Sequence, residues 1–390
     1  MKFSWFTTPL LLSLSLSLCA LSQAQVEGLQ HIVIIVSENR SFDHMFGTFP
    51  EADGAVVGYG KNGVAIPLAH STDPPLANCN HTWVAAHMDI DGGKMDGFAS
   101  SCAVVHGINQ AYVQLWQSDI PQLWGLAESG VLADHFFAAI AGPSFTQHLF
   151  IIGAQTADII SDPTHTGNDW GCDAPPSTRV TALNPLTGRT FAEFPCVEIG
   201  TISDAADAAG VTWAAYTPLE GQNGYQWVGW DYVHHLRYGP DWSGNMRSVA
   251  DFTSDVAAGH LAQITYLIPP FKVSGHPPAA IHANEQWIMQ QLSALQASPE
   301  WSSTAVFMLW DDWGGYYDHV APPDVDKFGD GIRVPLIVLS PLLKKPGSVF
   351  KSVTDFGSLL KFTEDQFGLV CLTSRDCHAR SLSGMFNHPR

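Results

Sequence analysis

The chain has 390 residues, 46% of them hydrophobic and only 14% charged, which is enough apolar material for a large core and carries no signature of disorder. Asp and Glu number 37 against 18 Lys and Arg, for a formal charge of −19. That balance excludes a general grip on nucleic acid, because phosphate backbones need a basic surface. No Pro/Gly/Ser linker or charge block divides the sequence, so residues 25–390 are expected to form a single α/β domain.

At the N-terminus, Lys2, the apolar run Leu10 to Leu18 and Ser22-Gln23-Ala24 read as a signal peptide over 1–24, cleaved before Gln25. The apolar core is too short to favour a membrane anchor, so the expected location is secreted or periplasmic. Cleavage removes one cation, Lys2, and Cys19, taking the formal charge from −19 to −20 and leaving six cysteines. An even count in an oxidising compartment favours disulfides, and the order along the chain suggests pairs of sequence neighbours: Cys79 with Cys102, Cys172 with Cys196, Cys371 with Cys377.

The run Ile32 to Val36 is β-branched without alternation, the pattern of a strand covered on both faces, and it ends in Ser37-Glu38-Asn39-Arg40. In an open α/β sheet the ligand lies off the carboxyl ends of the strands. Glu38 can give a hard cation an anionic oxygen, and Asn39 offers a carbonyl oxygen or an amide donor. The alternative is that this stretch caps a helix. Further along, Gly142-Pro143-Ser144 forms a tight turn before a helix, where Ser144 is either an N-cap or a nucleophile. Residues 162–223, rich in Pro, Gly and Thr, read as an irregular excursion over the sheet edge.

Buried strands are predicted again at Gln263 to Ile268, Ala305 to Leu309 and Val334 to Leu339, with a helix over Ala279 to Leu295. Strand alternating with helix gives a mostly parallel sheet flanked by helices. The strand at 305–309 also ends in acid, Asp311-Asp312 before Gly314-Gly315. Adjacent carboxylates repel, so a bound hard divalent ion is the simplest compensation, and a plain surface turn is the alternative.

Together these motifs carry a resemblance. Glu38-Asn39-Arg40-Ser41-Phe42-Asp43-His44, Gly142-Pro143-Ser144 and Asp311-Asp312-Trp313-Gly314-Gly315-Tyr316-Tyr317-Asp318-His319 resemble the phosphoesterase family of bacterial phospholipases C and acid phosphatases. Gly92 to Phe98, Arg333-Val334-Pro335 and Arg375-Asp376 extend the match from about Gln30 to Asn387. The resemblance implies an alkaline phosphatase-like fold and one divalent metal gathered by Glu38, Asn39, Ser144, Asp311 and Asp312. It also implies Ser144 as nucleophile of a metal-dependent hydrolase, with Asn39, His81, His235 and His276 around the phosphoryl group. Among the histidines, His276 is slightly preferred over His81 as the acid for the leaving group, and His234 rivals His235.

Serine at 144 and Asp-Asp at 311–312 resemble the acid phosphatase branch, so the expected activity is hydrolysis of phosphate esters through a phosphoserine. A phospholipase C acting on phosphatidylcholine-type diesters, with transient contact to lipid, is the alternative within the class. The short stretch after Asn387 implies that the extra C-terminal domains of longer phospholipases C are missing. From a different class, an exported phosphate- or carbohydrate-binding protein would use the 13 tryptophans for stacking.

Overall fold

The computed structural model describes residues 25–387, so the expected signal peptide lies outside the described residues. Strand β1 (His31–Ser37) is buried along nearly its whole length, as its unbroken β-branched run requires. Seven further strands complete one sheet: β2 (Val131–Ala133), β3 (Trp213–Thr217), β4 (Met246–Ser248), β5 (Ile264–Leu267), β6 (Thr304–Trp310), β7 (Leu336–Leu339) and β8 (Ser348–Phe350). Their spatial order is β4-β3-β5-β1-β6-β7-β2-β8. Only β7 runs against its neighbours β6 and β2; every other pairing is parallel. The reversal has a topological cause. Residues 311–335 hold no helix, so the chain re-enters the sheet from the end at which β6 left it.

Every residue of β6 is buried, and successive side chains of a strand point to opposite faces, so both faces are covered. One cover is the helix Ile281–Ala297, which turns Ile281, Ile288, Leu292 and Leu295 inward at helical spacing. Another is Phe356–Phe367, started by a reciprocal Asp355/Ser358 capping box and stopped by Gly368 at φ 66°. The main apolar core draws on residues from Val26 to Phe386, and a smaller second cluster packs Phe98, Tyr112, Trp313, Tyr317 and Ile332 beside the Asp-Asp turn. The α/β class and mostly parallel sheet match expectation.

The irregular excursion is shorter than 162–223. Its first part does carry the Cys172–Cys196 disulfide and a small hairpin, Val180–Leu183 with Thr190–Glu193. Ile202–Ala209, however, is a helix with a Thr201/Asp204 capping box, and Trp213–Thr217 is the buried strand β3. Alanines in Trp-Ala-Ala-Tyr-Thr mask that strand, because alanine carries little strand preference of its own and its place in the sheet is set by packing against neighbours. Cys79–Cys102 and Cys371–Cys377 complete the three sequence-neighbour disulfides. No described helix is long and apolar enough to cross a membrane.

Candidate active site

Parallel register builds the site. Ser37 lies opposite Trp310, so the next residues, Glu38 and Asp311, leave the sheet side by side. Beyond that point the backbone N–H of Asp311 donates to Ser37 O at 2.9 Å and that of Arg40 to Asp312 O at 2.8 Å, tying the two strand ends together. Asn39 sits at φ 56°, the left-handed region that Asn tolerates better than most residues. There its backbone N–H donates to Asp311 Oδ1 at 2.8 Å and its side-chain Nδ2 to Asp312 Oδ1 at 2.8 Å. Arg40 holds the conformation by donating to Asn39 O at 2.8 Å while lying over the Tyr316 ring. Gly314, at φ 63°, is required because a Cβ there would come 2.5 Å from Asn39 O.

Ser144 occupies the first turn of the helix Ser144–Gly153, and its side chain makes no capping bond. Instead its Oγ lies 3.4 Å from each of Glu38 Oε2, Asp312 Oδ2 and Asn39 Nδ2. The plain N-cap alternative therefore does not describe this serine. Glu38, Asn39, Asp311 and Asp312 are each 0% exposed and Ser144 2%. All five sequence-predicted metal positions are thus brought into one buried cluster.

Three carboxylates without a lysine or arginine bonded to them are costly in such a place. Burial, then Asp311 and Asp312, pushes Glu38 well above the usual carboxylate range, and burial with Asp311 pushes Asp312 up to about 8. Asn39 Oδ1 and Asp311 Oδ2 are buried with no hydrogen-bond partner. Orphaned acceptors beside clustered carboxylates fit a divalent cation. Glu38, Asp311 and His148 each offer a ligand atom within 4.8 Å of the other two.

The loop after β5 brings Glu38 N–H to Ser274 O at 2.9 Å and carries His276. Its ring meets that of His81 edge to face at 5.9 Å, and His81 sits beside Trp313 of the Asp-Asp-Trp-Gly-Gly turn. The two imidazoles are differently tuned. For His81, burial opposes the charge but Asp312 and Asp162 outweigh it and raise the pKa; for His276, burial and then His81 push it down to about 4. His81 Nδ1 bonds Cys79 O at 2.8 Å and His276 Nδ1 bonds Pro277 O at 2.6 Å, which leaves each Nε2 for other partners.

The structure does not join His235 to this group. Its two ring nitrogens bond Glu198 and Asp204, and its side chain is 36% exposed. His234 is more exposed still, near Glu198. Acidic neighbours far off in sequence claim both rings, so neither could be assigned from local motif alone.

Two residues escaped sequence reasoning. His148 Nε2 lies 2.8 Å from Glu38 Oε1, and its signal was the helical i, i+4 spacing from Ser144. Asp162 accepts from Phe145 N–H at 3.0 Å at the start of the serine helix, and burial raises it to about 6; nothing in its irregular surroundings marked it. Motif residues Asp43, Asp318 and Arg333 form a separate buried network that the part-exposed His319 joins. Arg333 donates to Asp318 at 2.8 Å and to Asp43 at 3.3 Å, and His319 bonds Asp43 at 2.7 Å, locking the two motif loops together.

The family model described as the phosphoesterase family matches residues 29–370. The chain belongs to the phosphoesterase family. Hemolytic phospholipase C of Pseudomonas aeruginosa is 26% identical over 88% of this chain and 53% of its own length. Phospholipase C B of Mycobacterium tuberculosis is 26% identical over 92% of this chain and 78% of its own. Non-specific phospholipase C3 of Arabidopsis thaliana is 22% identical over 91% and 73%. This family member therefore spans about half the length of the Pseudomonas relative. Among solved structures, an alkaline phosphatase superfamily protein from Vibrio parahaemolyticus aligns over 91% of this chain and 70% of its own, with TM-score 0.44 and 9% identity.

Proposed function

We propose that this phosphoesterase family member is an exported, metal-dependent hydrolase of phosphoric esters that works through a phosphoserine on Ser144, with small phosphomonoesters as its leading substrates. The observation that carries the reading is the Ser144 hydroxyl, poised 3.4 Å from two buried carboxylates and the Asn39 amide. One divalent ion held by Glu38, Asn39, Ser144, Asp311 and Asp312 would supply positive charge that lowers the proton affinity of that hydroxyl. Ser144, its hydroxyl proton lost to solvent, then bonds through Oγ to phosphorus as the ester P–O bond breaks, and it leaves phosphorus as the alkoxide when water displaces it. His81, raised in pKa, gives its Nε2 proton to the departing oxygen, a role its tuning supports better than that of His276. His276, neutral above about pH 4, accepts a proton from the water that displaces Ser144 from phosphorus. Asn39 Nδ2 orients the charge developing near the nucleophile. His235 is left outside this scheme. Three disulfides support residence in an oxidising compartment.

A second reading, a phospholipase C, is favoured by the names of the relatives and by one surface feature. Val84 and Met88, 65% and 49% exposed, form an apolar ridge on the helix Trp83–Ile90 that begins two residues after His81. The deciding experiment assays aryl phosphates, phosphodiesters and phosphatidylcholine micelles with several divalent metals after chelation. Inorganic phosphate from monoesters as the main product supports the first reading, and phosphocholine from lipid supports the second. Tight ester binding without turnover in metal-loaded protein would instead favour a binding protein and sink both.

A further inference from the structure

The helix that carries Ser144 in its first turn places His148 one turn on, on the same face. That imidazole is 1% exposed, and its Nε2 lies 2.8 Å from Glu38 Oε1. It converges with Glu38 and Asp311, each offering a ligand atom within 4.8 Å of the other two. Beside them Asp311 Oδ2 and Asn39 Oδ1 are buried and unpartnered. A histidine present only to steady Glu38 would have no need to share a common point with Asp311, nor would it account for two orphaned oxygens. A cation at that point accounts for all of it.

We propose that His148 Nε2 is a direct ligand of the metal centre, alongside Glu38 and Asp311, so that the site is a mixed nitrogen and oxygen site. The proposal rests on the metal-dependent reading above and extends it by adding a ligand and naming the class of ion. Oxygen donors alone suit magnesium, calcium or manganese, whereas an imidazole among them shifts preference toward iron, cobalt, nickel or zinc. It also ties the ion to the nucleophile's own helix: ligation at His148 fixes the rotation of that helix and therefore the direction of the Ser144 hydroxyl.

The test uses the full chain, chelated and then titrated separately with Co²⁺ and Mg²⁺, for the wild type and for His148→Gln, whose amide can still donate to Glu38. A supporting partner of a ligand costs about 10- to 100-fold in metal affinity, so loss of a direct ligand is expected to weaken Co²⁺ binding by more than roughly 100-fold. Mg²⁺ binding should change far less, and the visible Co²⁺ spectrum should alter. Unchanged Co²⁺ affinity and spectrum in a folded variant would overturn the proposal while leaving the metal centre intact. Should the variant fail to fold, pulsed electron paramagnetic resonance of the Mn²⁺-loaded wild type decides: modulation from an imidazole nitrogen is expected, and its absence overturns the assignment. A wild type that binds no divalent ion would sink the metal centre itself.

Discussion

Burying Asp312 should leave a signature in how stability varies with pH. Its carboxyl, pushed from 3.8 to about 8 in the folded chain, keeps its proton across a window in which the unfolded chain has already lost it. Stability is therefore fully present below the unfolded value and falls as pH rises toward about 8, by about 1.4 kcal/mol per pH unit. Over the whole window the ceiling is ~6 kcal/mol. His148 and His276, both depressed to about 4, act oppositely between about 4 and 6.5, so the clean interval is pH 6.5 to 8. There Asp312 accounts for ~2 kcal/mol. With an unfolding entropy of about 2.1 cal/mol/K per residue, the described chain moves ~1.3 °C per kcal/mol, so the expected shift is ~3 °C. Differential scanning calorimetry of chelated wild type and Asp312→Asn at both pH values measures it. The Tm of the variant relative to wild type should rise by that amount from pH 6.5 to 8. A saturating divalent ion should raise the wild-type Tm more at pH 8 than at 6.5. A difference that stays flat with pH, or that falls, would refute the picture of a carboxyl held protonated by its burial and by Asp311.

Ser144→Ala should cut turnover by at least ~10³-fold, with Tm hardly changed because the hydroxyl caps nothing; near-wild-type kcat in folded protein would remove it as nucleophile. The pH profile of kcat/KM should be bell-shaped, rising above about 4 as His276 becomes neutral and falling as His81, raised above its ordinary 6.5, loses its proton. His276→Asn should erase the acidic limb and His81→Asn the basic one, and limbs that stay put in both variants would reject the assignment. His235→Ala should change kcat by less than about threefold, since its half-exposed ion pairs are worth about 1 kcal/mol or less; a loss of 100-fold would return it to the site. Arg333→Met should cost ~3–5 kcal/mol in urea unfolding because Asp318 is left as an uncompensated buried charge and Asp43 keeps only His319 as a partner of opposite charge, and a loss below 1 kcal/mol would contradict that network.

Strands β1 and β6 and the acidic ends at Glu38 and Asp311-Asp312 are legible in the amino-acid order alone, because an unalternating apolar run that breaks into charge encodes both a doubly covered strand and its exit point. That order also carried Ser144 and the three disulfide pairs, whose signals lie close together along the chain. The rest depends on contacts between segments far apart in the chain. Ser37 opposite Trp310 is a long-range register that no local pattern fixes, yet it alone sets Glu38 beside Asp311. His235 was withdrawn from the cluster by Glu198 and Asp204, and His148 and Asp162 were drawn into contact with Glu38 and with the serine helix, by packing between segments distant in sequence. Strand β3 is hidden for the same reason: its alanines have low strand preference and become a strand through packing against neighbouring strands and helices.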